Sequence, residues 1–337
     1  MNPITQALMA VALDRAGLRR VSRMALPILI VSGVAADLDL LSYFGGANAY
    51  LHYRYAVLHS FVGAPILAIL IALAFWLASR RNQAPLRFSR VLLLCVIGIG
   101  VHILLDVATA DGVQLLWPFR ARWFSWDLLS GVDPWILAVL AAGLLLPALF
   151  HLVSEEIGSK KKRQRPSKGA IAVLVIAALY IGVRAEMHGT AVQTLLGQDY
   201  HGATPLVAGA FPDSASLFLW RGVIDTKNTI EVVSVPVGGG DIFDASSSLT
   251  HYKPGSSPAI DAARDAPLAQ EFVRYARFPL ADMENTAHGY RVTLRDFRFP
   301  EDADTPDNMI AVIELNANFT LRAQEVEFAS EQQNRAR

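Results

Sequence analysis

VLLLCVIGIGVHILLDVATA (91–110) decides the architecture. These residues carry one histidine, His102, and one carboxylate, Asp106, and are otherwise almost wholly apolar. A helix of about 20 such residues spans the hydrocarbon core of a bilayer. Working outward, long uncharged or nearly uncharged runs recur at 24–44, 56–79, 134–153 and 169–187. The pattern predicts a polytopic α-helical membrane bundle. The whole chain agrees with it: of 337 residues, 53% are hydrophobic and 18% charged, against about 25% charged in average soluble domains.

The flanks of these runs predict an orientation. Arg15, Arg19, Arg20 and Arg23 precede the first run. Arg80, Arg81, Arg87 and Arg90 separate the second from the third, and Lys160, Lys161, Lys162, Arg163, Arg165 and Lys168 separate the fourth from the fifth. Clustered Lys and Arg mark cytoplasmic segments. The loops 45–55 and 111–133, and everything after about 188, are then outside. The N-terminal stretch PITQALMAVALDRAGL (3–18) is apolar but short, so it either lies in the interface or crosses, giving five or six spans. It lacks the basic start and small-residue cleavage site of a signal peptide.

After 188 the texture changes to glycine, proline and β-branched bursts. LFLWRGVID (217–225), TIEVVSVPV (229–237), HGYRVTLRDFRF (288–299) and NMIAVIELNANF (308–319) read as strands. AIDAARDAPLAQEFVRYARF (259–278) reads as an amphipathic helix interrupted by Pro267. The expected organisation is a membrane domain over 1–190, a soluble α+β domain over 200–330 and a frayed tail over 331–337. The formal net charge of zero conceals a segregation. Residues 1–193 hold 18 Lys+Arg against 10 Asp+Glu, and residues 194–337 hold 12 against 20. This balance excludes a globally basic nucleic-acid binder, and the hydrophobicity excludes disorder. Cys95 is the single cysteine, which excludes internal disulfides and thiolate clusters.

Ionisable groups inside apolar spans are costly and point to function. Asp37 and Asp39 lie toward the outer end of the first run, His59 opens the second with His52 and Arg54 just before it, and His102 and Asp106 lie in the outer half of the third. The inferred topology brings all of these to one side. His102 and Asp106 are i, i+4 and stack on one helix face. His52 and His59, seven apart, share a face if the helix extends that far. Asp37 and Asp39, two apart, diverge on a continuous α-helix: either one is a ligand and the other a supporting or capping group, or the helix breaks here. Imidazole with carboxylate suits a divalent metal, Zn²⁺ first, with Mn²⁺, Fe²⁺ or Mg²⁺ as alternatives. His151 reads as interfacial, His188 as a weak extra candidate, and His201, His251 and His288 as ordinary residues of the soluble domain.

Three of the six tryptophans fall in WPFRARWFSW (117–126), with Arg120 and Arg122 among the aromatics. Such a segment is either an interfacial aromatic belt or a lid whose arginines meet an anionic group, and both readings are compatible. Asp133, before Pro134, reads as a helix N-cap.

HILLDVATADGVQLLWPFRARWFSWDLLSGVDPW (102–135) resembles the hallmark segment of the YdjM/YbcI-type membrane-bound metal-dependent hydrolase family. The start MNPITQAL, the Asp37-Leu38-Asp39 motif, LHS at 58–60, FPDSASLFLWRGVIDT (211–226) and RYARFPLADMENTAHGYRVTLRDFRF (274–299) are also similar to that family. The resemblance implies a multi-pass protein of the bacterial inner membrane with a divalent metal, and implies Asp37, Asp39, His59, His102 and Asp106 as ligands or acid–base groups. The chain departs from the family where Gln6 replaces a usual His and where Arg54-Tyr55-Ala56 replaces a His-Arg-Gly run. Gln6 and His52 are therefore extra candidates for the site.

Three functions follow as expectations. The first is metal-dependent hydrolysis of an ester or phosphoester of a lipid-like or envelope substrate. There His59, His102, Asp106 and one of Asp37 or Asp39 hold the metal, the other aspartate acts as base, and Arg54, Arg120 or Arg122 holds the substrate. The second is a catalytically lapsed membrane protein whose soluble domain binds a protein partner. The third is a transporter or proton relay, disfavoured because the chain shows no inverted repeat. Membrane lipid is the expected partner, and nucleic acid is not.

Overall fold

The computed structural model describes residues 1–81, 84–155, 167–300 and 308–328. The basic residues 160–165, the tail 331–337 and the side chain of His151 lie outside the described residues. Contacts divide the chain into two units. The first holds Met1–Asp39, Tyr55–Glu186 and Ser214–Leu217; the second holds Leu40–Arg54, Met187–Asp213 and Phe218–Arg337.

The first unit is helical. Helix α1 (Pro3–Ala16) starts where the Asn2 side chain accepts from the Ile4 amide and Pro3 fills the first turn, a position that needs no N–H. Helix α2 (Ala25–Val34) continues as a 3₁₀ helix over Ala35–Gly45. A short α3 (Ala47–Tyr53) follows, whose residues belong to the second unit. Then come α4 (Gly63–Ser79), α5 (Phe88–Val107), α6 (Pro134–Glu155) and α7 (Lys168–Leu196). Ala25–Gly45, Phe88–Val107 and Lys168–Leu196 are long and apolar enough to cross a membrane, and Gly63–Ser79 and Pro134–Leu145 are shorter apolar helices. The helical part of the second run begins at Gly63 rather than at 56, because residues 54–62 fold into turns that carry His59. Asp133 caps α6 as expected, with Oδ1 accepting from the Trp135 and Ile136 amides.

Hydrogen bonds identify the two ends of this unit. At one end Ser167 N–H donates to Arg15 O, Arg23 donates to Ala84 O, and Arg90 donates to Val21 O. Basic segments from three parts of the chain therefore meet there. At the other end Asn2 N–H donates to Gly131 O, Gln114 N–H to Tyr55 O, and Phe61 N–H to Leu115 O. Between them apolar side chains face outward on α4 and α7, among them Ile66, Leu70, Leu179 and Val183, the surface expected of helices solvated by lipid.

The second unit contains two four-stranded sheets, every pairing antiparallel. The first has β1 (Val207–Pro212), β2 (Leu219–Asp225), β3 (Thr229–Pro236) and β4 (Leu249–Tyr252) in sequential order. It buries Trp220, Ile224, Val233 and Val235 against Ala191 and Leu195 from the end of α7. The second has β5 (Pro279–Thr286), β6 (Gly289–Asp296), β7 (Met309–Asn316) and β8 (Leu321–Phe328), also in sequential order. Helices α8 (Pro258–Arg264) and α9 (Pro267–Tyr275) pack on β6 and β7. Pro267 ends one helix and begins the next, as the sequence predicts, because its ring fits a first turn and not a helix interior. Strands β1, β4, β5 and β8 have no counterpart among the expected strands. All four are sheet edges.

Candidate metal centre

Three local features assemble one polar cluster in the first unit. Gly98 lies where α5 meets α2: a Cβ there would run into Ser32 Oγ and the Leu29 carbonyl. This close approach lets His102, one turn on, donate from Nδ1 to the Gly33 carbonyl at 2.7 Å. The change from α to 3₁₀ winding after Val34 then carries Asp37 toward His102. Finally, residues 57–63 fold so tightly that a Cβ on Gly63 would strike the Val57 carbonyl, and this turn presents His59.

Asp37, His59, His102 and Asp106 each offer one ligand atom, and all four atoms lie within 4.8 Å of one another. His59 Nε2 is 3.1 Å from His102 Nε2 and 3.2 Å from Asp106 Oδ2. His102 Nε2 is 3.1 Å from Asp106 Oδ2 and 3.7 Å from Asp37 Oδ1. His59, His102 and Asp106 are almost fully buried.

The outer nitrogens determine what the inner ones can do. A carbonyl only accepts, so His102 Nδ1 carries the proton it gives to Gly33. His59 Nδ1 lies 2.9 Å from Asp39 Oδ2 and donates to it in the same way. In the neutral rings both Nε2 lone pairs therefore point at each other and at two carboxylate oxygens. Acceptors at such distances repel unless a proton or a metal cation lies among them. The donor set fits a divalent metal: for zinc bonds of 2.0–2.1 Å, a tetrahedron has ligand–ligand edges of about 3.4 Å. Imidazoles oriented through their outer N–H by a carboxylate and a carbonyl are the usual support of such a centre. Asp37 Oδ2 is buried and has no hydrogen-bond partner among the described residues. Asp106 Oδ1 accepts from the Met1 ammonium at 2.6 Å.

The other candidates separate clearly. Asp39 does not join the four. Its carboxylate accepts from the Leu58 amide and from His59, so it orients the His59 ring. His52 does not share a helix face with His59, because α3 ends at Tyr53; its Nδ1 lies 3.3 Å from Glu271 Oε2. Arg54 is buried and donates to the Tyr50 hydroxyl. Arg120 and Arg122 are exposed, with Arg122 over the Phe124 ring. Gln6 is buried, and its amide nitrogen has no partner among the described residues. His188 packs against Trp220, His251 against Phe297, and His201 contacts Ser248. The Met1 ammonium, the Gly33 carbonyl and the packing at Gly98 escaped the sequence reading. Only the Asn2-Pro3 helix start hinted at a fixed N-terminal turn.

Residues 1–191 match the family model described as YdjM inner membrane protein. No curated protein and no solved structure matches the chain.

Proposed function

Since the chain belongs to the YdjM inner membrane protein family, we propose that it is a multi-pass enzyme of the bacterial inner membrane that hydrolyses an ester or phosphoester with the help of a divalent metal. One observation carries this reading: four ligand atoms converge in a buried site while both imidazoles are tied outward through Nδ1. A divalent cation bound there would supply Lewis acidity and lower the pKa of a coordinated water toward about 7. His59, His102, Asp106 and Asp37 Oδ1 would hold it, with zinc favoured by the nitrogen and oxygen donors. Asp37 Oδ2, which has no hydrogen-bond partner among the described residues, would take a proton. Asp39 keeps His59 in register. Arg54 is engaged with Tyr50, which leaves Arg120 and Arg122 to meet an anionic substrate.

The same reading has a topology. The three basic segments joined by hydrogen bonds at one end support a cytoplasmic end. Helix α1 (Pro3–Ala16) lies between Met1, at Asp106, and the Arg15 carbonyl, at Ser167, and a sixth crossing, in part through this shorter helix, belongs to the same proposal. The cluster and the C-terminal sheets would then be extracytoplasmic, the sheets forming a domain over about 200–330 that awaits a protein partner.

Hydrolysis is tested with the full chain in detergent micelles containing a phospholipid or a chromogenic phosphodiester. Turnover is expected with zinc, lost on chelation and lost in His59→Ala. A zinc-loaded protein that turns over neither probe would reduce the site to a structural metal.

A further inference from the structure

Between Asp111 and Asp127 the chain carries no acid. The segment GVQLLWPFRARWFSW (112–126) has Arg120 and Arg122 as its only charges. Both are exposed, and among the described residues neither guanidinium hydrogen-bonds or pairs with a carboxylate. Arg122 lies over the Phe124 ring. Phe119 is 80% exposed and Trp126 48%, a costly placement for large rings facing water.

This segment is a built loop. Val113 and Phe124 exchange backbone hydrogen bonds of 3.0 and 2.9 Å, and the Phe119 and Arg120 amides both donate to Leu116 O, forming the tip. Its base is tied to the metal cluster on two sides. Trp126 N–H donates to Val107 O at 2.7 Å, one residue beyond Asp106, and Phe61 N–H donates to Leu115 O at 2.9 Å, two residues beyond His59. The loop joins α5 to α6, two apolar helices, so it lies at a membrane surface if they span.

We propose that the 117–126 loop is a docking surface for an anionic phospholipid, and that it presents the lipid headgroup to the cluster of Asp37, His59, His102 and Asp106. Arg120 and Arg122 take the phosphate oxygens, for which a planar guanidinium is well matched. Phe119 and Trp126 settle at the boundary between headgroups and acyl chains, where aromatic side chains concentrate. A soluble phosphate would satisfy the arginines but leave both rings in water, and this favours a lipid. Presentation to the cluster rests on the hydrolase reading; docking does not.

The test uses full-length protein in vesicles of phosphatidylglycerol and phosphatidylcholine, with bromine on the acyl chains of one lipid at a time. Three of the six tryptophans lie in the loop, so quenching reports which lipid surrounds it. Brominated phosphatidylglycerol should quench more strongly at equal mole fraction, with roughly fivefold enrichment for each guanidinium. The preference should vanish in Arg120→Gln/Arg122→Gln and persist in His102→Ala. Equal quenching by the two lipids, or a preference that survives the double substitution, would overturn the proposal. So would loss of the preference on adding millimolar inorganic phosphate, which would identify a soluble-anion site. Because His102→Ala is read in the same assay, failure of the metal centre is seen separately from failure of docking.

Discussion

Two buried carboxylates in this molecule live in opposite surroundings. In the second unit Asp296 accepts from the amides of Arg277, Phe278 and Arg298, and from Arg298 Nε at 2.6 Å. Arg298 is itself buried, and its other terminus donates to Tyr275 O. Every lone pair there meets a donor fixed by the chain. In the first unit Asp106 Oδ1 accepts from the Met1 ammonium, while Oδ2 meets two imidazole Nε2 atoms whose rings are tied outward through Nδ1, and Asp37 adds another carboxylate. Burial and charge are alike in the two places, and donor supply differs. A network that satisfies itself supports a fold. A convergence of carboxylates and imidazole nitrogens on one point is an arrangement that could hold a cation.

The contrast can be broken from either side. The largest effect is expected at the self-satisfied network. Arg298→Ala strands the Asp296 charge, and removing one partner of a buried pair costs about 3–5 kcal/mol. Thermal unfolding of the purified protein should show this loss while bound metal stays unchanged; a drop in metal content with unaltered stability would erase the distinction between the two regions. Next comes Asp39→Asn, which keeps an acceptor for the Leu58 amide but removes the charge behind His59. Zinc affinity should fall about 10–100-fold, measured by competition with a chromophoric chelator. An unchanged affinity would mean that Asp39 does not orient the ring. The smallest effect is expected at His52→Ala. The pair with Glu271 is partly exposed, and such pairs are worth no more than about 1 kcal/mol. Its zinc affinity should match wild type, and a loss would return His52 to the site.

The helical runs and most of the candidate site were legible in the sequence, for physical reasons, whereas the Asp296–Arg298 network was not. The apolar runs stand out because lipid tolerates so few charges, and His102 with Asp106 stands out because i, i+4 means one helix face. Pro267 and Asp133 announce helix ends through their own backbone chemistry. What stayed hidden depended on geometry that spacing does not encode. Asp37 and Asp39, two apart, diverge on α and 3₁₀ winding alike, so their spacing left open which of them faces His102. His52 was aligned with His59 on a helix that in fact stops at Tyr53. The edge strands β5 and β8 carry polar residues such as Asp282, Glu284, Arg322 and Glu325, so their alternation is weak, as edges exposed to solvent allow.

The central claim is that the four converging side chains hold a metal ion. Elemental analysis of the full-length protein, purified in mild detergent without chelators, tests it most directly when wild type and His102→Ala are measured side by side. The account predicts stoichiometric divalent metal in the wild type and its loss in the variant. Wild type without metal, or a variant that keeps it, would contradict the account.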